Sequence, residues 1–180
     1  MCIRDSRGYR PVVEIQFDGF VYPAFDQIVS QVARLHFRSQ GRVKVPVVIR
    51  IPFGGGIGAV EHHSDSPESQ FVMTAGLKVL SCATPHDAYW MIQEAIASDD
   101  PVVLMEPKRR YWESGPVDTE NPTPSFASQV VRPGEHATLV TYGPMVKTCV
   151  QAAEAAVEDG LELEVIDLRT LSPLDMKPVY

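Results

Sequence analysis

The stretch Val45-Pro-Val-Val-Ile-Arg-Ile-Pro-Phe53, followed at once by Gly54-Gly-Gly-Ile-Gly-Ala-Val-Glu-His-His-Ser-Asp65, most constrains the fold. A β-branched run bounded by prolines reads as a buried strand, and the glycines behind it let the backbone turn sharply and approach a ligand or a neighbouring chain. In an α/β sheet the crevice beyond the carboxyl end of a strand collects ligands. His63, on that loop, is therefore the leading acid/base candidate.

The flanking elements alternate. Val12–Phe17 reads as a strand, and Pro23–Ser39 as a helix with Phe25, Ile28, Val29, Val32, Ala33 and Leu35 or His36 on its apolar side. Ser66 is expected to cap a short helix with Pro67 at its first position, Leu77–Cys82 to form a strand, and Thr84 to cap a helix reaching about Ser98. A strand at 102–107 follows. Strand, helix, strand with short connections implies an α/β fold whose parallel sheet is covered on both faces.

From 114 to 133 the composition shifts to Gly, Pro, Ser, Thr and acidic residues, which reads as an interdomain linker. Beyond it, Ala137–Tyr142 and Leu163–Leu168 are expected strands around an Ala-rich helix stopped by Gly160. The expected division is an unmatched start at 1–11, a first domain at 12–113, the linker at 114–133, and the truncated start of a second domain at 134–180. So short a second unit is expected to leave apolar surface exposed around 163–168.

With 16 Lys+Arg against 23 Asp+Glu, the formal charge of −7 disfavours nucleic acid or an anionic membrane as partner. No apolar run reaches transmembrane length, and the three cysteines lack metal-like spacing; reduced thiols in a cytoplasmic protein are the expectation, with no function attached to Cys2. Gly54-x-Gly56-x-x-Ala59 is a weak dinucleotide fingerprint, because no helix can begin before about Ser66. Glu61, His62, His63 and Asp65 are metal-capable residue types, yet adjacent imidazoles rarely converge on one ion. Lys108-Arg-Arg-Tyr-Trp112 reads as a solvated basic rim, or as the working surface of a non-catalytic interaction domain.

Several segments share one further property. Glu14-Ile-Gln-Phe17, Pro23-Ala-Phe-Asp-Gln-Ile-Val29, Ile49-Arg-x-Pro-x-Gly54, His63-Ser-x-Ser-Pro-Glu68, Gly76-Leu-Lys-Val79, Asp100-Pro-Val102, Glu106-Pro-Lys108 and Val165-Ile-Asp-Leu-Arg-Thr170 resemble, in order, the β-subunit of the thiamin-diphosphate-dependent 2-oxoacid dehydrogenases. Glu106-Pro-Lys108 and the Pro23–Val29 run look most like the branched-chain enzyme; the pyruvate and acetoin enzymes are similar. The resemblance implies a transketolase-type pyrimidine-binding domain followed by the start of a transketolase C-terminal-type domain. It also implies oxidative decarboxylation of a 2-oxoacid with acyl transfer to a lipoyl acyltransferase core, in a heterotetramer with an α-subunit.

Under that resemblance Gln16 and Phe20 lie by the aminopyrimidine of thiamin diphosphate and His63 lies near its reactive carbon. The diphosphate and its magnesium ion belong to the α-subunit. Carbonyls of Val47, Val48, Ala95, Ser98 and Asp100 occupy positions that hold potassium in relatives. The family's cofactor-activating glutamate lies upstream of the first matching strand, and Asp5 does not replace it, so this chain alone is expected to be inactive.

Overall fold

The computed structural model describes residues 7–180, so Cys2 and Asp5 lie outside the described residues. Strand β1 spans Val12–Glu14, β2 Val48–Phe53, β3 Lys78–Ser81 and β4 Val102–Pro107. They form a parallel sheet in the order β1-β2-β4-β3, with Val48 opposite Val102 and Phe53 opposite Pro107. All of β4 and all of β2 except Arg50 are buried, as expected of strands covered on both faces.

The two-residue period of β2 divides the core. Ile49, Ile51 and Phe53 join Val21, Ile28, Val32 and Phe71 on one face, while Val48 joins Leu80, Met91 and Leu104 on the other. The second face is covered by α4 (Pro85–Ala97), whose start is a complete capping box. Thr84 Oγ1 accepts from the Asp87 N–H at 3.1 Å, and an Asp87 carboxylate oxygen accepts from the Thr84 N–H at 3.0 Å.

The first face is covered by helical residues 22–38, and here the expected single helix is corrected. It consists of α1 (Tyr22–Gln27), a π-helical turn at Ile28–Val32, and α2 (Ala33–Arg38). The wider turn keeps Ile28, Val32 and Ala33 facing the sheet. The short α3 (Glu68–Val72) is likewise corrected at its start. Pro67 takes the N-cap position and no side chain caps the helix, so Ser66 stands one residue outside.

In the second half β5 (Gln129–Arg132), β6 (Ala137–Thr141), α5 (Met145–Ala156) and β7 (Leu163–Asp167) make a three-stranded sheet in the order β5-β7-β6. The stretch read as linker thus contains a strand, β5, which pairs antiparallel with β7. Exposed throughout most of its length, β5 has only two adjacent valines between polar ends and no alternation to mark it. A second correction concerns β7. As the middle strand it buries Val165 and Ile166, and the half-exposed apolar side chains are instead Val130, Val131 and Val140 on its two neighbours.

After β7 the chain returns to the first sheet. Strand β8 (Thr170–Ser172) pairs antiparallel with β3, completing the order β1-β2-β4-β3-β8. Leu171 packs into the same core as Ile49 and Phe53. At the join, the buried Arg169 has φ of 56°, pairs with Asp87 of the α4 capping box, and donates its backbone N–H to Asp167 at 3.0 Å. Burial, with the nearby Asp87 carboxylate, pushes Asp167 up to about 7.

Candidate active site

Three chain segments meet beyond the carboxyl ends of β1, β2 and β4. After β1, Asp18–Phe20 forms a single 3₁₀ turn; after β2 comes the glycine loop; after β4 the chain turns at Lys108. At their centre Asp18 is 0% exposed and Lys108 4% exposed, with the ammonium 2.7 Å from Asp18 Oδ1. Lys108 also donates to the His63 carbonyl at 2.6 Å, and Asp18 Oδ2 accepts from the Gly54 N–H at 3.2 Å. Burying two charges carries a large desolvation cost, offset here by direct pairing and by hydrogen bonds to the backbone.

His63 is held above this pair. Its ring centroid lies 4.4 Å from that of Phe17 and 5.7 Å from that of Phe20, and Nδ1 is 3.3 Å from the Glu61 carbonyl oxygen. The neighbouring His62 has φ of 57°, and its carbonyl accepts from the Gly19 N–H at 3.2 Å. A side chain at Gly19 would collide with the His62 backbone, so a glycine is required where the two loops touch. His63 is half-buried and Phe20 is 47% exposed. Gln16, two residues past the end of β1 and next to Phe17 in the chain, is exposed.

The structure therefore brings His63 and Phe20 together, while Gln16 makes no side-chain hydrogen bond to either. It adds Phe17, Asp18 and Gly19, which sequence reasoning missed as site residues. An Asp-Gly pair closing a strand was the available signal for the turn, but nothing local announced that Asp18 would be buried. Lys108 is a correction: it is not part of a solvated rim, because its ammonium points inward to Asp18. Of its neighbours Arg109 is exposed as that reading expects, whereas the Arg110 side chain is only 14% exposed and Trp112, 92% exposed, does not pack on the domain edge. Arg110 donates to the Pro144 carbonyl at 2.6 Å, tying this turn to the second half.

Val47, Val48, Ala95, Ser98 and Asp100 lie on the opposite side of the sheet edge from His63, around the end of α4 and the start of β2. Several of their polar groups have partners within the chain. The Ser98 carbonyl accepts from Arg10 at 2.7 Å, the Val47 carbonyl accepts from the Val102 N–H at 2.9 Å, and the Asp100 carboxylate faces Lys78 at 3.0 Å and His36 at 3.0 Å. Arg10 supplies positive charge at this helix end through the Ile96 and Ser98 carbonyls. The glycine loop runs on without a helix until Glu68, which leaves no helix amino terminus for a pyrophosphate.

A second polar network lines a cavity of about 630 Å³ between α4 and the ends of β2 and β4. Glu106 accepts from Arg50 through both oxygens, at 2.7 and 2.8 Å, and from the Tyr111 hydroxyl at 2.7 Å. Burial and then the Glu106 carboxylate push the Tyr111 hydroxyl up, and burial alone dominates the same direction for Cys82. Both are therefore proton-bound and unreactive at neutral pH. No helix among the described residues is long and apolar enough to cross a membrane.

Comparisons with known proteins agree with this architecture. The family model described as "Transketolase, pyrimidine binding domain" matches residues 5–113, and "Transketolase, C-terminal domain" matches 127–180. The chain is 61% identical over 174 residues to the pyruvate dehydrogenase E1 component subunit beta of Leifsonia xyli, covering 96% of this chain and 52% of that protein. It is 54% identical over 175 residues to the 3-methyl-2-oxobutanoate dehydrogenase subunit beta of Mycobacterium tuberculosis, covering 96% and 50%. Among solved structures, a split-gene transketolase described as an inactive beta4 tetramer superposes with a TM-score of 0.79 at 18% identity, over 97% of this chain and 54% of that one. The chain spans about half the length of the curated relatives it matches. With its two matched segments in family order, the chain belongs to the transketolase pyrimidine-binding domain family, followed by the start of a transketolase C-terminal domain.

Proposed function

We propose that this chain serves in the β-subunit of a thiamin-diphosphate-dependent 2-oxoacid dehydrogenase. The observation that carries the reading is His63, partly exposed and packed against Phe17 and Phe20 at the carboxyl edge of the sheet. When bound, thiamin diphosphate supplies the electron sink that decarboxylation of a 2-oxoacid needs. Phe20 offers an exposed aromatic face to a planar ring, and Gln16 offers an amide that both donates and accepts. His63 holds or moves a proton at its other ring nitrogen, Nε2, while Nδ1 stays with the Glu61 carbonyl. The diphosphate and magnesium are assigned to an α-subunit, and the acyl acceptor to a lipoyl acyltransferase core.

Branched-chain 2-oxoacids are the proposed substrates, on the strength of Glu106-Pro-Lys108 and the Pro23–Val29 run. Relatives named for pyruvate and for 3-methyl-2-oxobutanoate both match, so both acids belong in the test. The assay uses a chimeric subunit in which residues 7–180 replace the matching stretch of the Leifsonia xyli relative, assembled with that relative's α-chain. His63→Ala should lower turnover about a hundredfold, the scale of losing a positioned acid/base group, with cofactor affinity little changed. His62→Ala should retain most activity. Equal loss in both variants would assign the loop a structural role only, and preference for pyruvate would overturn the branched-chain assignment.

A further inference from the structure

We propose that Asp18 and Lys108 form a positioning pair for the His63 imidazole. The inference rests on the role given to His63 above. An ammonium has three N–H donors. One goes to Asp18 Oδ1 at 2.7 Å, and another goes to the carbonyl of His63 itself at 2.6 Å. The second carboxylate oxygen of Asp18 takes the Gly54 N–H. The pair therefore fastens both ends of the 54–63 loop to β1 and β4, and it does so through the backbone of the histidine.

That loop needs such a post. Gly54, Gly56 and Gly58 all have positive φ, and residues 55–58 and 60–62 are exposed, so the segment carries little packing of its own. Lys108 also sets one wall of the imidazole site. Its ammonium lies 5.4 Å from the Phe17 ring centroid, on the ring that packs at a tilt against His63. A buried ion pair serving stability alone could be replaced by apolar side chains of similar volume at no loss. One that places a catalytic ring could not.

The test separates these roles. In the chimeric enzyme, Lys108→Met and Asp18→Asn should each lower kcat between about tenfold and a hundredfold, the cost of a displacement near 1 Å, while KM changes less than about twofold. The double variant Asp18→Leu/Lys108→Met should recover thermal stability but not kcat. In the chimeric enzyme, the nuclear Overhauser contact between the His63 and Phe17 rings should be present in the unaltered protein and absent from the double variant. Should the double variant not fold, Lys108→Arg, which keeps the charge but has no atom at the ammonium's place, is measured in the same way. Restored kcat, or a retained ring contact, overturns the proposal. Unimpaired turnover in His63→Ala would instead strike the catalytic reading, since the ring contact reports positioning independently of activity.

Discussion

Asp167 offers the most exacting test of the seam between the two halves. It sits 1% exposed at the end of β7, next to Arg169 and the Asp87 carboxylate, and burial raises its pKa from the ordinary 3.8 to about 7. The folded state therefore holds a proton that the unfolded chain releases. Below pH 3.8 both states are protonated and Asp167 costs nothing. As pH rises from about 4 to 7 the unfolded chain ionises first, and the destabilisation grows until it is complete above 7. At about 1.4 kcal/mol per unit, the cost at pH 8 is at most about 4 kcal/mol. Asp167→Asn keeps an oxygen to accept the Arg169 N–H and abolishes the ionisation. At pH 8 it should raise the stability measured by urea unfolding by an amount approaching that figure, or roughly 10 °C in Tm for a chain of this size. Near pH 4.5 the two proteins should differ little. A variant no more stable than the parent at pH 8, or equally stabilised at both pH values, would refute the argument.

Thr84→Ala removes one arm of the α4 capping box and should cost about 1–2 kcal/mol in chemical denaturation. Met91→Ala opens a cavity in the fully buried face of α4 and should cost about 2–5 kcal/mol by the same assay. Gly76→Ala is expected to be worse than its size suggests, because φ is +97° and the added carbon would run into the Ala33 carbonyl; a folded yield equal to the parent's would contradict this. Arg169→Met leaves Asp87 buried without its guanidinium partner and should destabilise by about 3–5 kcal/mol at neutral pH.

Much of the first sheet was legible because its strands are short apolar runs punctuated by Pro and Gly, and because Thr84-Pro85 followed by Asp87 spells a helix start. The π-helical turn at 28–32 was not, since an apolar stripe tolerates one extra residue without a change in composition. Strand β5 was hidden by its exposure: Gln129-Val-Val-Arg132 gains its pairing from β7, a partner more than thirty residues away. In the site, His63 and Phe20 stood out by type and place. Asp18 and Lys108 did not, because a charged residue is presumed solvated until tertiary structure supplies its counter-charge. Their spacing of 90 residues gives no local hint of pairing.

The return of β8 to the first sheet has a consequence for synthesis. Ser172 closes on Leu77, 95 residues earlier, through a side-chain hydrogen bond, and β8 supplies the outer neighbour of β3. While the ribosome is still making the intervening residues, β3 therefore presents an open row of backbone donors and acceptors. Such an edge can pair with another nascent chain. Closure over so long a loop is slow compared with local helix formation, which leaves the half-made sheet open for the whole of that interval. Chaperone demand should accordingly fall sharply once residues 170–172 have left the exit tunnel, and a β3 carrying an added lysine at its outer edge should lessen that demand before then.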